Sequence, residues 1–324
     1  MRILVTGGIG VNGAVVVRKL LERGLTPVAA DKRPDFSLVH DIKDKLEFAV
    51  LDVTDLAAVS NLLSAQHIER IIHLAAFIDP DMDREPYRSF TVNSLGTANV
   101  LEAARLAGIS RVIYASSRAV YGEMPDGVGE PGYAPIDEEY PARPLLSYDA
   151  TKLAAEHLGQ VYRTVYGMEF AALRFSAIYG PGKQARHGKM SLRSRLVEDP
   201  FNDVAVKVPK GGDQIDDLIY VEDAAEGIVL ATLADTLPHA AYNIASGRGV
   251  SLHQFADAVR SAVPGARIEL GPGLNPLGFS VNRAAIFDIS RARNDFGFDP
   301  RFDLTTGVRD YIQRLRQMAP ATSP

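Results

Sequence analysis

The 324-residue chain contains no cysteine. Disulfides, thiolate nucleophiles and cysteine–zinc sites are therefore excluded. No apolar run approaches the ~18 residues of a membrane span. A basic excess is also missing: 35 Lys and Arg stand against 40 Asp and Glu, a net charge of −5. Phosphate-backbone binding needs a basic face, so no nucleic-acid partner is expected. The first residues run directly into a strand-like segment, which leaves no room for a signal peptide. The expectation is a cytoplasmic protein with no membrane partner, acting on a small molecule. The seven histidines show no metal-ligand spacing. They read as surface or packing residues, and no metal site is expected.

What is present is a regular alternation. "RILV", "TPVAA", "LEFAVLDV", "RIIHLAA", "RVIYAS" and "EFAALRF" read as buried strands. Helical patterns separate them, among them "GAVVVRKLLER", a long helix from Pro86 to about Gly108, and "SYDATKLAAEHLGQVYRTVYG". Short strands alternating with helices predict right-handed βαβ units and a parallel sheet. The regularity fades near residue 176. The expected organisation is a nucleotide-binding domain over 1–176 and a smaller, irregular substrate lobe over 177–324. Segments around 215–245 should return to the core, because "DLIY" and "YNIA" read as further core strands. Ser251 and Gln254 have the spacing of a capping box.

Between the first strand and the first helix lies "TGGIGVNG", with Gly7, Gly10 and Gly13 spaced as G-x-x-G-x-x-G. Glycine weakens both flanking elements, so its use there points to close approach by something else. A helix N-terminus offers free N–H groups and a positive dipole end, which suit a pyrophosphate. Asp31 ends the second strand, 18 residues after Gly13. A carboxylate there would hold ribose hydroxyls and repel a 2′-phosphate, which predicts NAD as cofactor rather than NADP. Lys32 and Arg33 follow it directly and argue the other way.

Tyr148 and Lys152 occur in "SYDATK", at i and i+4 on one helix face. A tyrosine ordinarily titrates near 10. A neighbouring ammonium, with a positive nicotinamide ring, favours the phenolate. Such a group can take a proton from an alcohol while hydride leaves the same carbon. Tyr179 and Lys183 share the spacing, but "YGPGK" cannot be helical, so they read as a decoy. Ser116 and Ser117 stand at the carboxyl end of the fifth strand, where open α/β sheets bind ligands.

Together these motifs resemble the extended short-chain dehydrogenase/reductases, the NAD-dependent epimerase/dehydratase family. That resemblance implies a Rossmann-type, doubly wound parallel α/β sheet with a C-terminal substrate lobe. In "SSRAVYG" it implies a catalytic serine at Ser117, beside Tyr148 and Lys152. "LDVTD" is similar to the adenine-binding segment, implying roles for Asp52 and Val53. "IIHLAA" implies that Leu74, Ala75 and Ala76 line the cofactor, and the family asparagine in "VNSLGTANVLEAAR" implies a cofactor contact from Asn93. The resemblance also implies cofactor contacts from Val11 and Asn12, from Lys32, from Ala115 and Ser116, and from Phe175 and Ile178. A homodimer through exposed core helices is expected on the same ground.

The departures from the family pattern concern the substrate. Dehydratases place an Asp-Glu pair where this chain has Arg118 and Ala119, which argues against dehydration. Sugar-nucleotide epimerases place an asparagine where this chain has Ala177, and an arginine where it has Asp216. Both family residues touch a diphosphate, so the substitutions argue against that ligand. A basic stretch follows Gly182, with Lys183, Arg186, Lys189, Arg193 and Arg195. It reads as a solvated loop or as a cover over an anionic substrate, with Arg186 as a candidate contact alongside Ser117, Arg118, Ala177 and Asp216. The first reading is an NAD-dependent oxidoreductase acting on a secondary alcohol or ketone of a small sugar-like molecule. The alternative is a UDP-hexose type epimerase that keeps its NAD. A non-catalytic NAD sensor is opposed by the intact Ser117, Tyr148 and Lys152.

Overall fold

A computed structural model of the chain describes residues 1–78, 82–125 and 132–318. Twelve strands follow in chain order. They are β1 (Arg2–Thr6), β2 (Thr26–Asp31), β3 (Glu47–Val50), β4 (Arg70–His73), β5 (Arg111–Ser117) and β6 (Glu169–Phe175). Then come β7 (Ala177–Tyr179), β8 (Val206–Val208), β9 (Ile215–Tyr220), β10 (Ala241–Ile244), β11 (Gly249–Ser251) and β12 (Ile268–Leu270). Seven of them form one parallel sheet in the order β10-β6-β5-β4-β1-β2-β3. The chain winds outward from β1 in one direction, then returns to β4 on its other side. This change of direction leaves a crevice at the carboxyl ends of β1 and β4, the place where such sheets bind ligands.

The central strands are apolar along their length because both faces are covered. On one face, Val16, Val17 and Leu20 of the helix Val11–Glu22 pack with Ile228 and Val229 of the helix Val221–Leu233. On the other, Val59, Leu63, Val100, Leu101 and Ala155 fill the space under three further helices. A separate core holds the second lobe together around Tyr179, Tyr220, Phe255 and Tyr311. No described helix is long and apolar enough to cross a membrane.

Four sequence expectations meet differing outcomes. "YNIA" does enter the main sheet, as β10 beside β6. "DLIY" does not: β9 pairs with β7 and β11 in a small three-stranded sheet, although its Ile219 and the helix after it pack into the main core. An apolar run identifies a strand but not its partner, which here is the three-residue β7. The helix expected from Pro86 to about Gly108 is divided into Pro86–Ser89, a π-helical stretch Phe90–Leu95, and Gly96–Leu106. Wide turns of this kind often mark functional sites, and this one carries the buried Asn93. The Ser251 capping box forms in both directions, at 3.1 and 2.8 Å.

Candidate active site

A cleft of about 910 Å³ runs across the carboxyl ends of the central strands. At one end lies the glycine turn. Gly7 has φ +67°, and its carbonyl accepts from the Gly10 N–H at 3.0 Å. A Cβ on Gly13 would fall 2.1 Å from the Gly7 carbonyl oxygen, so Gly13 serves the packing of helix against turn. Gly8, which the spacing argument passes over, is equally constrained: its Cβ would meet the Val5 carbonyl at 2.6 Å. Gly10 differs. Its Cβ would touch only the Gly7 peptide, nearest at 3.1 Å, so the space beyond it is open. Gly10 caps the helix Val11–Glu22 without a side-chain bond, and the first turn has no acid. The Asn12 Oδ1 in that turn is buried and lacks a partner among the described residues.

Asp31 ends β2 in the cleft wall. Burial raises its pKa, against the opposing backbone N–H of Arg33 and the nearby Arg186 charge. Lys32 turns aside and pairs with Asp52 at 2.6 Å. Asp52 also accepts from the Thr54 N–H and hydroxyl, at 3.0 and 2.8 Å. Val53, Leu74, Ala75 and Ala76 line the cleft with Val11, Ala115, Ser116, Phe175 and Ile178. Asn93 does not, contrary to expectation. It is buried behind the wall, where it accepts from the Phe77 N–H at 2.7 Å and donates to Thr151 at 3.3 Å. It thus ties the segment after β4 to the helix that carries Tyr148. His73 is held the same way, between Thr6 and Thr97 at 2.7 and 3.1 Å, and burial drives its pKa down to about 3.

Ser117, Tyr148 and Lys152 meet at the middle of the cleft. Strand β5 supplies the serine, and the helix Ser147–Tyr166 supplies the other two. The Ser117 Oγ accepts from the Ala119 N–H at 3.1 Å, and the serine lies near enough to Tyr148 to lower its pKa. Lys152 Nζ donates to the Ala115 carbonyl at 2.6 Å. It lies 4.7 Å from the Tyr114 ring centroid and 5.7 Å from that of Tyr148. Burial lowers Lys152 to about 7, opposed by the charge of Glu156. Glu156 in turn accepts from Ser116 and pairs with Arg174 at 2.7 Å.

Among the protein's own groups, burial dominates at Tyr148 and pushes the phenol up to about 12. Ser117 and Arg283 pull it down, and Asp149 pushes it up. Desolvation of an anion outweighs the chain's own positive groups here.

The substrate end departs most from the sequence reading. Asp216 is 1% exposed and does not face the cleft as a bare carboxylate. Arg118 clasps it with both terminal nitrogens, and Arg193 donates at 2.9 Å. Two cations on one anion leave one positive charge, so the repulsion argued from sequence disappears. Arg186 is not at this end. It pairs at 2.8 Å with Asp35, on the segment after β2 near Asp31. The basic stretch is thus neither a free loop nor a uniform cover. It forms the helices Lys183–His187 and Leu192–Phe201, and Arg195 turns to Asp199 at 3.9 Å. The side chain of Lys189 lies outside the described residues. Ala177 lines the cleft beside Ser176, whose buried Oγ has no partner among the described residues. Arg283, which no motif marks, pairs with Asp149 at 2.8 Å and lines the same wall. The decoy pair separates as expected: Tyr179 ends β7 and packs against Phe255 in the second lobe.

These residues fit a dinucleotide: an open space over Gly10, an uncapped helix N-terminus, and a carboxylate at the end of β2. Comparison with known proteins agrees. Residues 3–245 match the model of the NAD dependent epimerase/dehydratase family. A UDP-glucose 4-epimerase of Mycolicibacterium smegmatis is 31% identical, over 98% of this chain and 99% of its own. A 3 beta-hydroxysteroid dehydrogenase/Delta 5→4-isomerase of Mycobacterium tuberculosis is also 31% identical, over 98% of this chain and 92% of its own. The crystal structure of a Thermus thermophilus UDP-glucose 4-epimerase with NAD superposes with a TM-score of 0.83 at 27% identity, covering 98% of this chain and 99% of that one. The chain therefore belongs to the NAD-dependent epimerase/dehydratase family of extended short-chain dehydrogenase/reductases.

Proposed function

We propose that the protein is an NAD-dependent oxidoreductase acting on a secondary alcohol or ketone of a small, polar, sugar-like molecule that carries negative charge. The observation that carries this reading is the meeting of Ser117, Tyr148 and Lys152 in one cleft with the glycine turn. Ser117 orients the reacting oxygen. Tyr148 exchanges a proton with it. Lys152, fixed by the Ala115 carbonyl, supplies positive charge beside the nicotinamide ribose. Bound NAD supplies the hydride acceptor and, on its oxidised ring, a positive charge. A phenol held near 12 needs that further charge to act as a base at neutral pH. The residual positive charge around Asp216 favours an anionic substrate. Residues 1–176 then serve mainly the cofactor and 177–324 mainly the substrate. Exposed Tyr87, Leu95, Leu106, Val161 and Val165 give the core helices an apolar face suited to a homodimer.

A second reading is a UDP-hexose 4-epimerase that returns hydride to the opposite face of the same carbon. It is favoured by the relatives and by the arginines that neutralise Asp216. Net cofactor turnover separates the two. The protein is incubated with NAD and a panel of polyols, sugar acids and UDP-hexoses. NADH accumulating in proportion to product supports the dehydrogenase. Interconversion of UDP-hexoses without net NADH replaces it with the epimerase.

A further inference from the structure

Lys183, the lysine of the decoy spacing, is 9% exposed and lines the cleft. Among the described residues its Nζ makes neither an ion pair nor a hydrogen bond. A buried ammonium without a counter-ion is costly, and burial alone lowers Lys183 to about 8. A chain keeps such a group where a ligand supplies the anion.

Its neighbours indicate which end of the cleft it serves. A Cβ on the preceding Gly182 would fall 2.7 Å from the Leu38 side chain. Arg186, three residues on and on the same helix face, pairs with Asp35. The short helix therefore lies against the segment after β2, whose last residue is Asp31. Arg18, from the helix that Gly10 opens, reaches the same segment and donates to the Leu38 carbonyl at 2.7 Å. So the strap from the second lobe, the segment after β2 and the glycine-turn helix adjoin one another at the cofactor end. The substrate end already has Arg118 and Arg193.

We infer that Lys183 is a counter-ion for the pyrophosphate of the bound dinucleotide, held by the second lobe opposite the uncapped start of the helix Val11–Glu22. The helix offers backbone N–H groups and Lys183 offers full charge. The orphaned Asn12 Oδ1 marks the same region as one built for a polar ligand. The cofactor is thus held by both lobes, not by the sheet domain alone.

The test is Lys183→Met, which keeps the length of the side chain and removes its charge, with Lys183→Gln as a second variant. Calorimetric titrations use NAD, ADP-ribose and, by competition, adenosine. Both variants should bind NAD and ADP-ribose at least tenfold more weakly, or about 1.4 kcal/mol. Adenosine, which lacks phosphate, should bind as to the wild type. The cofactor-free variants should melt no lower than the wild type, because an unpaired buried charge has been removed. Unchanged NAD affinity overturns the inference, and a raised substrate KM in that case assigns Lys183 to the substrate. An equal loss for adenosine also overturns it, by showing a distorted site.

Discussion

The two ends of the cleft are built by different means. The cofactor end is made largely of backbone: a turn closed by Gly7 and Gly10, an open helix start, and strand ends that present Asp31, Ala75 and Ala115. The substrate end is made of long side chains that meet across the lobes, Arg118 and Arg193 on Asp216 and Arg283 on Asp149. Backbone geometry is fixed by short local patterns. Ion pairs between residues as far apart as Arg118 and Asp216 are fixed only by the fold. One family scaffold can therefore keep its cofactor while its substrate changes, because the two ends do not share construction.

The largest effect should come from the boundary between the ends. Tyr148→Phe removes the transferable proton and leaves both walls in place. Turnover should fall roughly 10²–10⁴-fold, the contribution of one positioned acid or base. NAD affinity, measured by titration, should stay near that of the wild type. Full turnover in this variant would remove the proposed mechanism whichever substrate is correct. Tyr179→Phe, in the second-lobe core, should leave proton transfer intact.

Asp216→Asn tests the substrate end. Removing one partner of a buried ion pair costs about 3–5 kcal/mol. The lower figure applies here, since Arg118 and Arg193 retain 17% and 14% exposure. The melting temperature should drop. The local charge should meanwhile rise from one positive to two, so UDP should bind more tightly to the variant than to the wild type. Those opposite signs are the diagnostic. A variant as stable as the wild type, with unchanged UDP affinity, would mean that the arginines do not depend on Asp216.

The legibility of the sequence follows the same division. The parallel sheet, the glycine turn, Asp31 and the Ser117–Tyr148–Lys152 group could be read because strand alternation, turn glycines and the i, i+4 rule are local. The resemblance marks Asn93, but its bond to the Phe77 N–H from a π-helical stretch carries no pattern in the sequence. In the sequence Asp216 reads as a repulsive charge, because its partners lie 98 and 23 residues away. Arg186 reads as a substrate contact because the basic stretch looks like one block. In the fold, its residues serve different ends. Arg283 and Ser176 carry no pattern that a single sequence could disclose.

Gly10→Val returns to the backbone-built end. A Cβ there meets little of the protein, so the fold should survive while the added methyls occupy the cofactor's space. NAD should bind at least tenfold more weakly, about 1.4 kcal/mol, with little change in melting temperature. Gly13→Val makes the contrast, because its Cβ would collide with the turn at 2.1 Å. That variant should lose stability as well as affinity. Equal behaviour of the two variants would break the distinction between a glycine that admits a ligand and one that admits a helix.

The smallest effect is expected at Asp31, the one side chain on which the backbone-built end relies for cofactor choice. Its carboxylate should favour ribose hydroxyls over a 2′-phosphate. Lys32, the adjacent cation, is already paired with Asp52 and is poorly placed to reverse that preference. Asp31→Ala should narrow the gap between NAD and NADP by less than about tenfold, by weakening NAD and relieving repulsion of NADP. The raised pKa of Asp31 adds a pH signature. As pH falls, its carboxylate takes up a proton earlier than an ordinary aspartate, so wild-type NAD affinity should decline at a higher pH than an ordinary aspartate would set. Asp31→Ala should lack that decline. Titrations of both cofactors across a pH series measure both effects. Equal wild-type affinity for NAD and NADP would shift the assignment to Lys32 and Arg33 as holders of a 2′-phosphate.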